Sequence, residues 1–386
     1  MKSTAIVSIS VIASCITSNA LAAPSLSWER HKIGTTTYEA CSIFDVNNDG
    51  NLDLVSGGVW YAGPAFEAPI KICDIEYVSE YYDDFSDYPL DVNGDGYLDI
   101  VTGGWFGKTL RWRENPKGGG GLWTTHDIGE VGNIERGCFW DMNGDGVVEA
   151  VPNLPGNPFV IFELERDAAG KGTGQFKRYD ISPVKQGHGL GYGDVDGDGR
   201  GDLVSAQGWL QCPADPFGAE WEWHQEFDFA AASVPIQIYD MNQDGKNDLI
   251  VGQGHDYGLS WCEQGSLADG KRTWTKHVIE TNLSQFHETH LADLDKDGTL
   301  DLVTGKRWRA HNDGDPGAHD PVGLYYYSLA TPEPKRVTID FGVAGQCSGT
   351  GIYLWTADVD KNGWLDILAP GKEGLFLFLN KGIISE

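Results

Sequence analysis

Hydrophobic residues in this chain come in short runs set between acidic, glycine-bearing turns. Residues 39–44 form one such run, and after the turn Leu52, Leu54 and Val55 alternate with Asp53. The same β-rich stretch recurs at 98–101, 202–204, 248–251 and 300–303. An aromatic run follows each time, as at 110–112, 259–261 and 324–327, and then an outer run such as 123–128 or 274–279. Strands this short, bounded by Gly and Asp, predict an all-β fold. The acidic turns start at Asp45, Asp91, Asp141, Asp194, Asp240, Asp293 and Asp358, separated by 46, 50, 53, 46, 53 and 65 residues. That period is the length of a four-stranded blade, so the pattern predicts a seven-bladed β-propeller. The outer-strand signature also occurs at 28–33, ahead of the first turn, while the chain ends on a third-strand pattern at 375–379. The N-terminal segment is therefore expected to complete the last blade and close the ring, which protects the sheet edges. No composition break divides residues 23–386, which read as one domain.

The first residues read differently. Lys2, an apolar run at 5–16 and Ala20-Leu21-Ala22 make a secretory signal peptide, residues 1–22. The rival reading is a lipoprotein signal with its lipid on Cys15. Both place the mature protein outside the cytoplasm, extracellular or periplasmic, and no later stretch is apolar enough to span a membrane. Net charge is −29, which argues against nucleic acid or an anionic membrane as partner. Six cysteines follow Cys15, and an even number in an exported chain permits disulfides. Cys212 and Cys262, from consecutive blades, are the pair expected to bridge; for Cys41 and Cys138 the competing reading is a buried small hydrophobe.

Each acidic turn follows Asp-x-Asp/Asn-x-Asp/Asn-Gly-x-x-Asp/Glu, in full or nearly so. Alternate residues of a tight loop can aim several hard oxygens at one ion, and Ca²⁺ takes six to eight. The expected ligands are Asp45, Asn47, Asp49 and Asp53; Asp91, Asn93, Asp95 and Asp99; Asp141, Asn143, Asp145 and Glu149; and Asp194, Asp196, Asp198 and Asp202. The later turns supply Asp240, Asn242, Asp244 and Asp248; Asp293, Asp295, Asp297 and Asp301; and Asp358, Asp360, Asn362 and Asp366. The bland alternative is an acidic hairpin turn without metal, and the role is structural either way. These loops carry the resemblance to the FG-GAP/VCBS repeat family, which implies calcium-binding propeller loops over nearly the whole mature chain.

The face opposite the loops carries the chemistry. Six positions before the first Asp of each turn stand Glu39, Phe85, Glu135, His188, Val234, His287 and Ile352. His290 lies close by, and the next turns on that face hold Trp60, Trp105, Trp209, His255 and the run Lys306, Arg307, Arg309, His311. Any one of these has a dull explanation as core or surface; cations, imidazoles and indoles converging in so acidic a chain point to a ligand site. The segment from His287 to Gly317 is similar to the propeller of aldos-2-ulose dehydratases, whose cupin domains this chain lacks. The architecture is also similar to that of propeller polysaccharide lyases. The leading expectation is β-elimination on a carbohydrate bearing a uronate or keto group. His287 or His188 would be the base, and His290 or Tyr192 would return a proton to the departing oxygen. Arg307 and Lys306 would hold the acid group, with Arg309 and His311 as second choices. Trp60, Trp105 and Trp209 would stack on sugar rings, with His255 and Glu135 also lining the site. A non-catalytic carbohydrate- or protein-binding module is the alternative. A glycoside hydrolase would need Glu39 and Glu135 as its carboxylate pair. The chain is expected to act as a monomer.

Overall fold

A computed structural model describes residues 26–384, with 119 and 269 excepted. The expected signal peptide, residues 1–22 with Cys15, lies outside the described residues. Seven four-stranded antiparallel sheets form the propeller; six add their strands in sequence order, and the seventh takes its outer strand from the N-terminal segment. The innermost strands are Ser42–Phe44, Tyr88–Leu90, Arg136–Trp140, Leu190–Gly193, Gln237–Tyr239, Thr289–Ala292 and Trp355–Ala357. Blades one to seven are numbered in that order. Each acidic turn joins an innermost strand to the second strand, as the repeat predicted.

Second strands are buried along their whole length, as in Asp53–Ser56, Asp99–Thr102 and Asp366–Ala369. Neighbouring blades cover both faces, so the core lies between blades and not within one sheet. Val151, Phe159 and Ile161 of blade three meet Leu203, Leu210 and Trp221 of blade four. Ile43 and Leu54 of blade one likewise meet Leu368 and Leu377 of blade seven. The N-terminal strand Leu26–Gly34 pairs with Leu375–Ile383, with His31 opposite Leu377, and this closes the ring.

The last acid of each turn is a buried bolt. Asp53 accepts the backbone N–H of Val46 at 2.8 Å on one oxygen and that of Gly63 at 2.7 Å on the other. Asp99, Asp202, Asp248 and Asp366 repeat the double contact, linking the turn to the third strand of their blades. A buried carboxylate needs such donors to offset its lost hydration.

The expected Cys212–Cys262 bridge does not form; all six described cysteines are free. Cys212 packs between blades three and four, whereas Cys262 packs between blades four and five, so blade four separates them. An unforeseen hairpin, Tyr77–Val78 with Tyr81–Tyr82, rises between blades one and two.

Candidate functional site

In the turns, the first Asp caps the loop backbone: Asp45 accepts from Asp49 and Gly50 at 3.0 and 2.7 Å, Asp91, Asp141, Asp194 and Asp240 do the same, and Asp293 and Asp358 keep only the contact to the glycine. Three turns bring three carboxylates within coordinating distance of one another: Asp194, Asp196 and Asp202; Asp293, Asp295 and Asp297; Asp358, Asp360 and Asp366. Asp293 Oδ1, Asp295 Oδ2 and Asp358 Oδ1 are buried and meet no donor. Orphaned acceptors of this kind fit a hard cation such as Ca²⁺. Protein cations occupy other oxygens of the turns, as with Lys246 on Asp244 at 2.7 Å, Lys381 on Asp360 at 2.8 Å, Arg166 on Asp145 and Arg200 on Asp198.

On the opposite face the starts of the innermost strands converge. Glu135, His188 and His287 come from equivalent positions of blades three, four and six. His255 is delivered by the turn between the second and third strands of blade five. Glu135 Oε1 lies 2.9 Å from His287 Nε2 and 3.4 Å from His188 Nε2. His188 Nε2 and His255 Nε2 face each other at 2.9 Å. The far nitrogens of both rings are committed: His188 Nδ1 is 2.7 Å from the Ala232 carbonyl, and His255 Nδ1 is 2.8 Å from Asp315 Oδ2. Carbonyl and carboxylate oxygens accept, so both Nδ1 atoms donate, and in the neutral rings two Nε2 lone pairs point at each other. That contact is relieved by a cation between the nitrogens, either a shared proton or a metal ion. One ligand atom from each of Glu135, His188, His255 and His287 falls within coordinating distance of the others. Imidazoles with a carboxylate suit a first-row transition metal, and the Ala232 and Asp315 contacts are the outer support such ligands use.

Electrostatics agree with that ligand set. Burial pushes His255 down to about 4. Burial, then the Arg307 cation, holds His287 well below its ordinary range. Glu135 is held well below the usual carboxylate range, its imidazole contacts outweighing burial. Neutral imidazoles and an ionised carboxylate are the states a metal binds.

Beside the cluster opens a cavity of about 300 Å³, lined by Ser79, Tyr81, Phe85, Trp105, Phe106, Glu135, Arg307, His311 and Asn312. His311 stacks on His255 at 4.2 Å, and Asp315 holds both rings, accepting from His311 Nδ1 at 2.9 Å. Arg309 ties this loop to the hairpin through Glu80 at 2.9 Å, and the His311 N–H donates to the Tyr81 hydroxyl at 2.6 Å. Tyr81, Phe85, Phe106 and Ser79 were not assigned to the site from sequence, because the hairpin that carries Ser79 and Tyr81 lies outside the repeat.

Several expected site residues lie elsewhere. Tyr192 stands at the calcium-loop end of its strand, its hydroxyl donating to the Asp141 carbonyl at 3.3 Å. His290 lines the channel deeper down, bonded to Thr356 Oγ1 at 2.9 Å. Trp60 packs with Val46, Ile100 and Trp123 between blades. Trp209 is buried with its N–H on Glu226 at 3.1 Å and its ring on His224. Both tryptophans belong to third strands, whose side chains point into blade interfaces. Lys306 is fully buried against Gln285 and the Arg307 carbonyl, both at 3.3 Å, beyond reach of a substrate carboxylate. Arg307 lines the cavity, but Glu39 takes its Nε and Nη2 at 2.8 and 3.1 Å. Glu39 is thus committed to Arg307 and Glu135 to the imidazoles, so the carboxylate pair a glycoside hydrolase needs is already occupied by protein partners. Below the cluster, Arg136 pairs with Glu288 and lies 3.9 Å over the Tyr353 ring.

Two stretches, residues 91–151 and 240–304, match the FG-GAP-like repeat. No curated protein matches the chain. Among solved structures, an Agrocybe aegerita lectin described for recognition of non-reducing terminal N-acetylglucosamine is 14% identical, over 85% of this chain and 83% of its own, with a TM-score of 0.47. The V. cholerae biofilm matrix protein Bap1 is 10% identical over 90% and 89%, with a TM-score of 0.49. The rhamnogalacturonan lyase YesW is 13% identical over 95% and 76%, with a TM-score of 0.47. The chain is a seven-bladed propeller, two stretches of which match the FG-GAP-like repeat.

Proposed function

We propose that this is an exported, calcium-stabilised propeller that binds a carbohydrate in the cavity beside the imidazole cluster and eliminates across its ring. The cluster of Glu135, His188, His255 and His287 would hold one divalent transition-metal ion. The carrying observation is the facing pair of bare Nε2 atoms at 2.9 Å. When bound, such an ion polarises a carbonyl or carboxylate oxygen and so acidifies the neighbouring C–H. Trp105, Phe106 and Tyr81 offer ring faces to the sugar. Arg307, which lines the cavity, is held by Glu39 through Nε and Nη2, and Nη1 has no hydrogen-bond partner among the described residues. This reassigns the imidazoles: His188 and His287 serve as ligands, and His311 at the cavity wall is the ring left to move a proton between substrate and solvent.

The test has two parts. Protein purified without chelator is expected to retain one transition-metal ion per chain, lost in His255→Ala. Incubation with uronate-containing polysaccharides and keto sugars should generate the ultraviolet absorbance of a conjugated elimination product. Failure to take up Zn²⁺ or Co²⁺ refutes the metal site. Metal uptake and sugar binding without elimination would favour a non-catalytic carbohydrate-binding module, which the aromatic cavity also suits.

A further inference from the structure

Blade four and blade five do not match in length. The outer strand of blade four, Glu222–His224, has 3 residues, whereas Lys271–Ser284 of blade five has 14. Val251 and Cys262 pack against Trp209 and Ala206 of blade four, so they mark the blade-five face that blade four covers. Farther out that face is left open. The result is a cleft of about 570 Å³ continuing into a second of about 270 Å³, the two sharing Gln253, Tyr257, Ser260 and Lys276.

The cleft has a definite chemistry. Phe227 and Phe229 stack at 4.3 Å, and Trp274 meets Phe227 edge-on at 5.4 Å. Glu226 accepts the Trp274 N–H at 3.1 Å, which fixes the indole in the cleft wall. Tyr257 stands at the other end, 38% exposed. Glu226 and Asp228 line one cleft, Glu280 the other, with Lys276 as the cation common to both. Fixed, partly exposed rings beside amide, hydroxyl and ammonium groups suit the alternating C–H faces and hydroxyls of a sugar chain. The surrounding carboxylates repel an anionic one.

We infer that the cleft between blades four and five is a second glycan site, taking an uncharged oligosaccharide and independent of chemistry at the imidazole cluster. It would anchor a neutral stretch of polymer while the cavity engages its own residue.

Isothermal titration of the full chain with neutral hexasaccharides (β-1,4-glucan, β-1,3-glucan, β-1,4-mannan, β-1,4-xylan and α-1,4-glucan) tests this, with an oligogalacturonate as the charged control. At least one neutral hexasaccharide should bind and the galacturonate should not bind there. Tyr257→Ala and Phe229→Ala should each weaken the neutral ligand about tenfold, with unchanged melting temperature. Tyr257→Phe keeps the ring and should bind normally, which guards against a folding artefact in Tyr257→Ala. His287→Ala should leave the affinity unchanged, so loss of the metal reading would not mimic loss of this one. The inference is overturned if no neutral hexasaccharide binds, if binding survives both aromatic substitutions, or if it disappears with His287→Ala.

Discussion

Asp315 holds two imidazoles at once, and its position decides what His255 can do. By accepting from His255 Nδ1 it leaves Nε2 bare and directs that nitrogen at His188. Asp315→Asn replaces the carboxylate with an amide that holds the ring less firmly, so metal affinity should fall by ~10–100-fold, measured by competition with a chelator. An unchanged affinity would show that Asp315 does not orient the ligand. Tyr192→Phe should leave both metal content and turnover as they are, since that hydroxyl meets the Asp141 carbonyl on the far side. Trp209→Ala is expected to cost stability, ~3–5 kcal/mol for a buried indole, and to spare sugar binding in the cavity. At this scale the sequence was informative about residue type and poor about direction. Glu135, His188 and His287 were legible on one face, because equivalent blade positions must share it, and His255 from the next turn on that face; that these four meet as one cluster was not legible. That Trp60 and Trp209 point into blade interfaces was not legible, since strand phase depends on the twist of each blade.

The acidic turn is the element that repeats, and its last carboxyl serves the backbone whether or not metal is present. Burial pushes Asp99, Asp202 and Asp301 up to about 7, and Asp248 and Asp366 up to about 6. A carboxyl raised above its unfolded value favours the fold most when protonated. Its contribution is complete below the unfolded range and is lost as pH rises through the folded one. Calcium-free protein should therefore melt higher at about pH 5 than at about pH 8, and added Ca²⁺ should restore the melting temperature at the higher pH. A metal-free melting temperature that rises with pH over this window would refute the reading. The turn starting at Asp293, with its two orphaned oxygens on Asp293 and Asp295, should fill at the lowest calcium concentration. The repeat spacing made these turns legible; which of them keeps its oxygens free depends on cations such as Lys246 and Arg166, whose rotamers no spacing reveals.

Across the whole molecule, the ring is held by the pairing of Leu26–Gly34 with Leu375–Ile383. Deleting residues 26–34 should expose an apolar edge on blade seven and give aggregation or broad, non-cooperative melting; a soluble truncation with the parent melting curve would contradict this. Blade count, blade order and this closure were all readable, because a propeller writes its architecture as a period. The hairpin at Tyr77–Tyr82 and the loop bearing His311 and Asp315 are departures from the period. Those departures roof the cavity, and for that reason the site was harder to read than the scaffold.

The same pairing has a consequence in time. The first strand of the fold has no partner until the last has been made, so no blade count short of seven yields a closed circle. During synthesis the growing chain is an open arc with two adhesive ends, and contacts between the most distant parts of a chain form slowly. Such an arc offers its free edges to any neighbour at the same stage. The acidic turns spread along it supply mutual repulsion through that interval, so the charge concentrated in the turns also keeps unfinished rings apart.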